Sequence, residues 1–139
     1  NQNNELVIYE GTGHPGVGAI VDLSNADVAK MVNANVVMVV EGGIGSTIDM
    51  LNMCLSLFRE HDVPVIGVII NKVIPEKAAS VKKYVGQYLK RENLNLLGVI
   101  PYDKTLAYPL LWTVSKAING KIEHFQGKGY QKIEKIIKL

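Results

Sequence analysis

The stretch Val36-Val37-Met38-Val39-Val40-Glu41-Gly42-Gly43-Ile44-Gly45-Ser46-Thr47 decides the fold. Five successive apolar residues, four of them valine, predict a strand of the kind a parallel sheet buries on both faces. An acid closes the run and a glycine-rich loop follows. Ile48, Leu51, Leu55 and Phe58 then recur at helical spacing, up to a helix end near Arg59-Glu60-His61-Asp62. This is one strand-to-helix step with its acid at the carboxyl end of the strand, the end at which open α/β sheets bind ligands.

The same step stands upstream. Leu6–Tyr9 predicts a short buried strand, Glu10 closes it, and Gly11-Thr12-Gly13-His14-Pro15-Gly16-Val17-Gly18 follows, with four glycines in eight positions. Such a loop can present successive backbone N–H groups to phosphate or carboxylate oxygens. On its own residues Glu10 reads either as a holder of a metal beside a phosphorylated ligand or as a plain acid at the edge of a turn. A helix with Ser24 or Asn25 as N-cap runs on through Val32 and stops at Asn33-Ala34-Asn35.

Downstream, Val63–Ile70 predicts a third strand, with Pro64 tolerated at its start, leading into Asn71-Lys72-Val73. Pro75 and Glu76 open a helix whose Ala78, Val81, Val85, Tyr88 and Leu89 share one face. Leu96–Ile100 is the fourth strand, ending at Pro101-Tyr102-Asp103. Strands alternating with helices of this length imply βαβ units, a parallel sheet and right-handed crossovers. The pattern shifts near residue 104. Pro109 suits the first turn of a helix carrying Leu110, Val114, Ala117 and Ile118, closed by Asn119-Gly120. Lys121–Phe125 alternates like a strand, 126–129 turns, and Ile133, Ile136 and Ile137 predict a last helix. The expected organisation is residues 1–103 as one unit and 104–139 as an appended one.

With 139 residues, 47% hydrophobic and 20% charged, the chain has the composition of a soluble globular protein. It has no apolar run of the roughly 18 residues a membrane span needs and no signal-peptide pattern, so a cytoplasmic protein without a membrane partner is expected. The single cysteine, Cys54, sits in an apolar helical stretch and reads as a structural thiol. The net charge of +2 is unevenly placed, acids dominating up to residue 62 and bases after it. The bases lie along helical faces (Lys82, Lys83, Lys90, Arg91) without interleaved aromatics, which argues against nucleic acid and for a solvated or subunit-facing surface. His61 and His124 have no partner at metal-ligand spacing, and His14 stands alone in its loop. Glu41 is explained equally well by the dipole of the helix that follows it. Asn71 on its own residues reads as a plain strand-end residue. The P-loop pattern Gly-x-x-x-x-Gly-Lys-Ser/Thr does not occur, and the glycines at 13, 16 and 18 do not have the dinucleotide spacing.

Four motifs, in order and at fitting intervals, carry a resemblance. Val7-Ile-Tyr-Glu10-Gly-Thr-Gly13, Val39-Val-Glu41-Gly-Gly-Ile-Gly45-Ser-Thr47-Ile-Asp49, Gly67-Val-Ile-Ile-Asn71-Lys-Val73 and Leu97-Gly-Val-Ile-Pro101 together resemble the later part of the dethiobiotin synthetase-like P-loop ATPases. That group includes cobyrinic acid a,c-diamide synthases and the amino-terminal domain of long phosphotransacetylases. The stretch from Leu106 to Gly127 resembles the opening of the DRTGG regulatory domain of those phosphotransacetylases, without the DRTGG signature itself.

The resemblance implies an α/β three-layer sandwich with a mainly parallel sheet, P-loop NTPase-like, lacking its first strand and P-loop. It implies ATP and Mg²⁺ as cofactors, with Glu10 on the metal. Gly11, Gly13, Asn71, Lys72, Pro101 and Tyr102 would contact the adenine nucleotide. Gly43, Gly45, Ser46 and Thr47 would face a small-molecule carboxylate, in a site completed across a homodimer. The implied chemistry is phosphorylation of a carboxylate followed by attack of an amine. With the P-loop absent, the expectation is a carboxyl-terminal piece of a longer ligase, inactive alone. A nucleotide-sensing regulatory module and an oligomerisation scaffold are the alternatives.

Overall fold

A computed structural model describes residues 6–122 and 130–133. The chain divides into two compact units, Asn1–Pro101 and Tyr102–Leu139. The first contains helix α1 (Asn25–Met31), strand β1 (Val36–Glu41), helix α2 (Gly45–Glu60), strand β2 (Val65–Val73), helix α3 (Ala78–Arg91) and strand β3 (Leu96–Pro101). The three strands form one parallel sheet in the order β1-β2-β3. The expected α/β fold with a parallel sheet is therefore present.

Helices α2 and α3 pack against each other and against this sheet in one core, as successive right-handed crossovers between adjacent parallel strands would place them. The apolar stripes that the helical spacing predicted meet there. Leu51, Cys54, Leu55 and Phe58 of α2 and Val81, Val85, Tyr88 and Leu89 of α3 are buried against Met38, Val68, Ile70 and Val73. Burial pushes the Cys54 thiol above its ordinary pKa, as befits a structural cysteine. Val37, Val39, Ile66 and Leu97 are exposed, Val39 to 61%.

Each of these helices is punctuated by its own sequence. Ser24 caps α1: its hydroxyl accepts from the Asp27 backbone N–H and the Asp27 carboxylate accepts from the Ser24 N–H, a reciprocal capping box. Asn33, Asp62 and Asn93 adopt left-handed backbone just beyond α1, α2 and α3. In each case the next N–H returns to the final turn: Ala34 to the Ala29 carbonyl, Val63 to that of Phe58, and Leu94 to that of Leu89, all at 2.9 Å. Short polar side chains tolerate this conformation, which satisfies carbonyls the helix leaves unpaired.

Several expectations need correction: the valine-rich strand β1 is not buried on both faces, since Val37 and Val39 are exposed. Leu6–Tyr9 joins no strand: the three-stranded sheet does not include it, and Leu6 and Ile8 are 76% and 82% exposed. An apolar run becomes a parallel strand only where a neighbouring strand offers its ladder, and here β1 pairs with β2 alone. Strand β2 runs past Ile70 to Val73, so Asn71 and Lys72 lie within it. Pro75–Lys77 forms a separate tight 3₁₀ turn ahead of α3.

The second unit holds helix α4 (Leu111–Ala117), preceded by a 3₁₀ turn, Lys104–Ala107, capped by the Asp103 side chain. Pro109 falls outside α4. Leu110 is extended and forms an antiparallel bridge with Lys132, while the Leu111 N–H bonds to the Gln131 carbonyl and the Ile133 N–H to that of Pro109. These pairings hold residues 109–110 extended and delay the helix by two residues. Asn119 and Gly120 close α4 as expected, the Gly120 N–H reaching the Ser115 carbonyl at 2.7 Å. The strand and turn expected between Lys121 and Gly129 and the final helix lie largely outside the described residues.

Candidate functional site at the carboxyl ends of the strands

Parallel strands bring their carboxyl ends to one edge, and three sequence-predicted residues meet there. Glu41 and Asn71 are register partners at the ends of β1 and β2. Lys72 takes a left-handed backbone (φ 56°), which breaks the β2–β3 register between Ile70 and Val73. Its ammonium donates to Glu41 Oε1 at 2.5 Å. That hydrogen bond and the lysine charge hold the Glu41 carboxyl below its ordinary range. The Asn71 side-chain oxygen accepts from the Lys72 N–H at 2.9 Å, leaving the amide NH₂ and a second oxygen lone pair for a planar ligand edge.

The loop after β1 is bound to the same edge. The Gly42 N–H donates to the Asn71 carbonyl at 2.6 Å. A Cβ on Gly42 would stand 2.7 Å from Val73 Cα, so only glycine lets the two strand ends approach this closely. Thr47, on the first turn of α2, is buried and donates its hydroxyl to the Glu41 carbonyl at 2.8 Å. Gly43 packs beneath the Ser46 and Thr47 hydroxyls, and Gly45 opens α2 with nothing within 4 Å of where its Cβ would be. Pro101 pairs with Val73 and extends the row onto β3. Tyr102 begins the second unit and is exposed.

Glu10, Gly11 and Gly13 belong to a separately organised loop. Glu10 is exposed, and α1 holds the residues after it. The Asn25 amide donates to the Thr12 and His14 carbonyls at 3.0 Å each. The Asn25 and Ala26 backbone N–H groups bond to the Val17 and Pro15 carbonyls at 3.2 Å. Gly18, at φ 97°, turns the chain so tightly that a Cβ would lie 2.1 Å from the Leu23 oxygen. Asn25, read from sequence only as a possible cap, is thus the anchor of this loop. Its role depends on residues eleven to thirteen positions away, beyond any local motif.

Among the described residues, no group of three or more His, Cys, Asp or Glu side chains could hold a metal ion, and no helix is long and apolar enough to cross a membrane.

The chain is 25% identical over 122 residues to a phosphate acetyltransferase of Synechocystis sp., covering 85% of this chain and 17% of that protein. It is 32% identical over 111 residues to a cobyrinate a,c-diamide synthase of Limosilactobacillus reuteri, covering 78% of this chain and 24% of the relative. Against a cobyric acid synthase of Listeria monocytogenes it is 33% identical over 107 residues, covering 71% and 20%. The chain therefore spans 17% to 24% of the length of these relatives. No solved structure matches it. A family model described as an AAA domain matches residues 1–109, through both glycine loops and all three strands, and the chain belongs to that family.

Proposed function

We propose that this chain carries the nucleotide and acceptor loops of an ATP-dependent ligase that activates a carboxylate, of the cobyrinic acid a,c-diamide synthase and dethiobiotin synthetase type. The observation that carries the proposal is the strand-end cluster of Glu41, Asn71 and Lys72, stapled by Gly42 at the ligand edge of a parallel sheet. Asn71 takes the adenine edge with its free amide donors, and Lys72 and Pro101 complete the base side. Gly11 and Gly13 offer backbone near the phosphates. Gly43, Gly45 and Ser46 face the acceptor carboxylate, where the first N–H groups of α2 favour an anion, while buried Thr47 fixes the turn through its bond to the Glu41 carbonyl.

The donor set suits Mg²⁺, which binds through one or two carboxylates together with nucleotide phosphates rather than in an all-protein cage. Glu10, an exposed carboxylate at a glycine loop, is the residue that would hold it. An ion held there would supply neutralisation of phosphate charge, and the chemistry of such a ligase is phosphorylation of the carboxylate followed by displacement of that phosphate by an amine. The protein's part is positioning. These 139 residues contain no P-loop, and by themselves they bind nucleotide without turning it over. The second reading, favoured by the similarity to a phosphate acetyltransferase over 85% of this chain, is a nucleotide-sensing module whose second unit is the opening of a DRTGG-like regulatory domain. The setting we propose is a cytoplasmic homodimer, which would cover the exposed apolar sheet face.

Titration calorimetry of the chain with ATP tests this, with and without Mg²⁺ and with Glu10→Ala and Asn71→Ala. Mg²⁺-dependent binding that both substitutions weaken about tenfold is the expected result. Absence of binding at millimolar ATP, or binding indifferent to both substitutions, refutes it.

A further inference from the structure

His61 closes α2 and places both ring nitrogens against acceptors. Nδ1 lies 2.9 Å from the Leu57 carbonyl and Nε2 lies 3.0 Å from Asp27 Oδ1. A carbonyl cannot donate. The Asp27 carboxyl is held below its ordinary range, chiefly by hydrogen bonds from the Ser24 hydroxyl and backbone N–H, so it too is an acceptor. A neutral imidazole has one N–H and serves one of the two acceptors; the imidazolium serves both. Asp27 in turn completes the box around buried Ser24, and the next two residues, Asn25 and Ala26, carry the staples to Thr12, His14, Pro15 and Val17. A continuous set of hydrogen bonds thus runs from the end of α2, through the first turn of α1, to the loop that follows Glu10.

We propose that Asp27 and His61 are positioning residues for the glycine loop 11–18, forming a proton-dependent latch between α1 and α2 that is closed when His61 is protonated. Histidine ordinarily titrates between about pH 5 and 8. The protonated ring is the form that makes both bonds and places a charge against Asp27, so the latch is tightest with the ring protonated; the neutral ring gives up one bond, or keeps the Asp27 bond without its charge. Protonation of Asp27 opens it at much lower pH. Around the joint, Lys30 of α1 lies 3.9 Å from Asp62, and Arg59 of α2 pairs with Glu92, the residue just past α3, at 2.5 Å. His14 is the competing group, since its Nδ1 accepts from the Gly16 N–H at 3.2 Å and acid would weaken that bond. The two histidines therefore act in opposite directions, and His14 has to be removed from the test.

Only the functional meaning of the latch rests on the proposed role of the Glu10 loop; the test reads the loop directly. Amide exchange of Asn25 and Ala26 is measured from pH 5.5 to 8 in His14→Gln protein, corrected for intrinsic exchange, with Leu94 at the end of α3 as reference. Protection at Asn25 and Ala26 should fall about three- to tenfold across the range, while that of Leu94 does not follow it. Adding His61→Gln should abolish the pH dependence. Adding His61→Lys, which stays charged throughout, should remove it with the loop kept protected. A flat profile in the His14→Gln protein, or an unchanged slope after His61→Gln, overturns the latch whatever ATP does. Failure of the ATP titration, conversely, leaves these exchange results standing.

Discussion

Two glycines three residues apart give a sharp test of the strand-end geometry. A methyl group at Gly42 would meet Val73 Cα at 2.7 Å, its Cγ2 at 2.8 Å and its N at 3.0 Å. Ordinary carbon contacts lie near 3.5–4.0 Å, so the overlap is about 1 Å and falls largely on backbone. A side chain cannot simply turn away. The end of β1 must move, and the bond from the Gly42 N–H to the Asn71 carbonyl moves with it. Overpacking of this kind costs about 1–3 kcal/mol and the net loss of one hydrogen bond about 0.5–1.5 kcal/mol. Gly42→Ala should therefore destabilise by roughly 2–4 kcal/mol. With a urea slope of about 1.5 kcal/mol/M, the midpoint falls by roughly 1–3 M. Gly45 is different: it opens α2 with nothing within 4 Å of a Cβ. Gly45→Ala should stabilise by about 0.4–1 kcal/mol, mainly by restricting the unfolded chain. Urea unfolding followed by circular dichroism compares the two. A Gly42→Ala protein within 0.5 kcal/mol of wild type, or a Gly45→Ala protein as damaged as Gly42→Ala, would refute the packing described for this loop.

Two further outcomes follow from the core and from the first helix. Leu51 is fully buried between α2 and the sheet, so Leu51→Ala should cost about 2–5 kcal/mol in the same unfolding experiment, and a loss below 1 kcal/mol would mean that α2 is not seated as described. Hydrogen bonds from Ser24 hold the Asp27 pKa below its unfolded value, so this contribution to stability is present above the ordinary carboxylate range, about pH 4, and is lost as pH falls through the folded value. Asp27→Asn should flatten the acid limb of the stability profile, and an unchanged limb would show that the box contributes nothing there.

Much of the architecture was legible because its causes are local. Four valines in five positions, apolar residues three and four apart in α2 and α3, and Ser24 ahead of Ala26 and Ala29 each act within a turn or two of chain. Asn33, Asp62, Asn93 and Asn119 likewise stop their helices through their own backbone conformations. From such signals alone, alternating strands and helices with a parallel sheet follow. The Glu41 loop could also be placed at the carboxyl end of its strand, the end at which open parallel sheets bind ligands, whereas the Glu10 loop follows no strand.

What the tertiary structure decided depends on partners distant in sequence. Leu6–Tyr9 has the composition of a strand and is none, because a strand exists only by pairing. Pro109 stands outside α4 because Leu110 is drawn to Lys132. Lys72 reaches Glu41 across 31 residues only because register sets Asn71 beside Glu41 and a left-handed residue turns the chain back. Asn25 holds the upstream loop, and His61 meets Asp27, through helix placements that no short motif encodes. Sequence by itself determined where the chain would extend, coil and turn. Which charged and polar groups face one another was decided by register and helix packing, since those contacts exist only once the sheet has assembled.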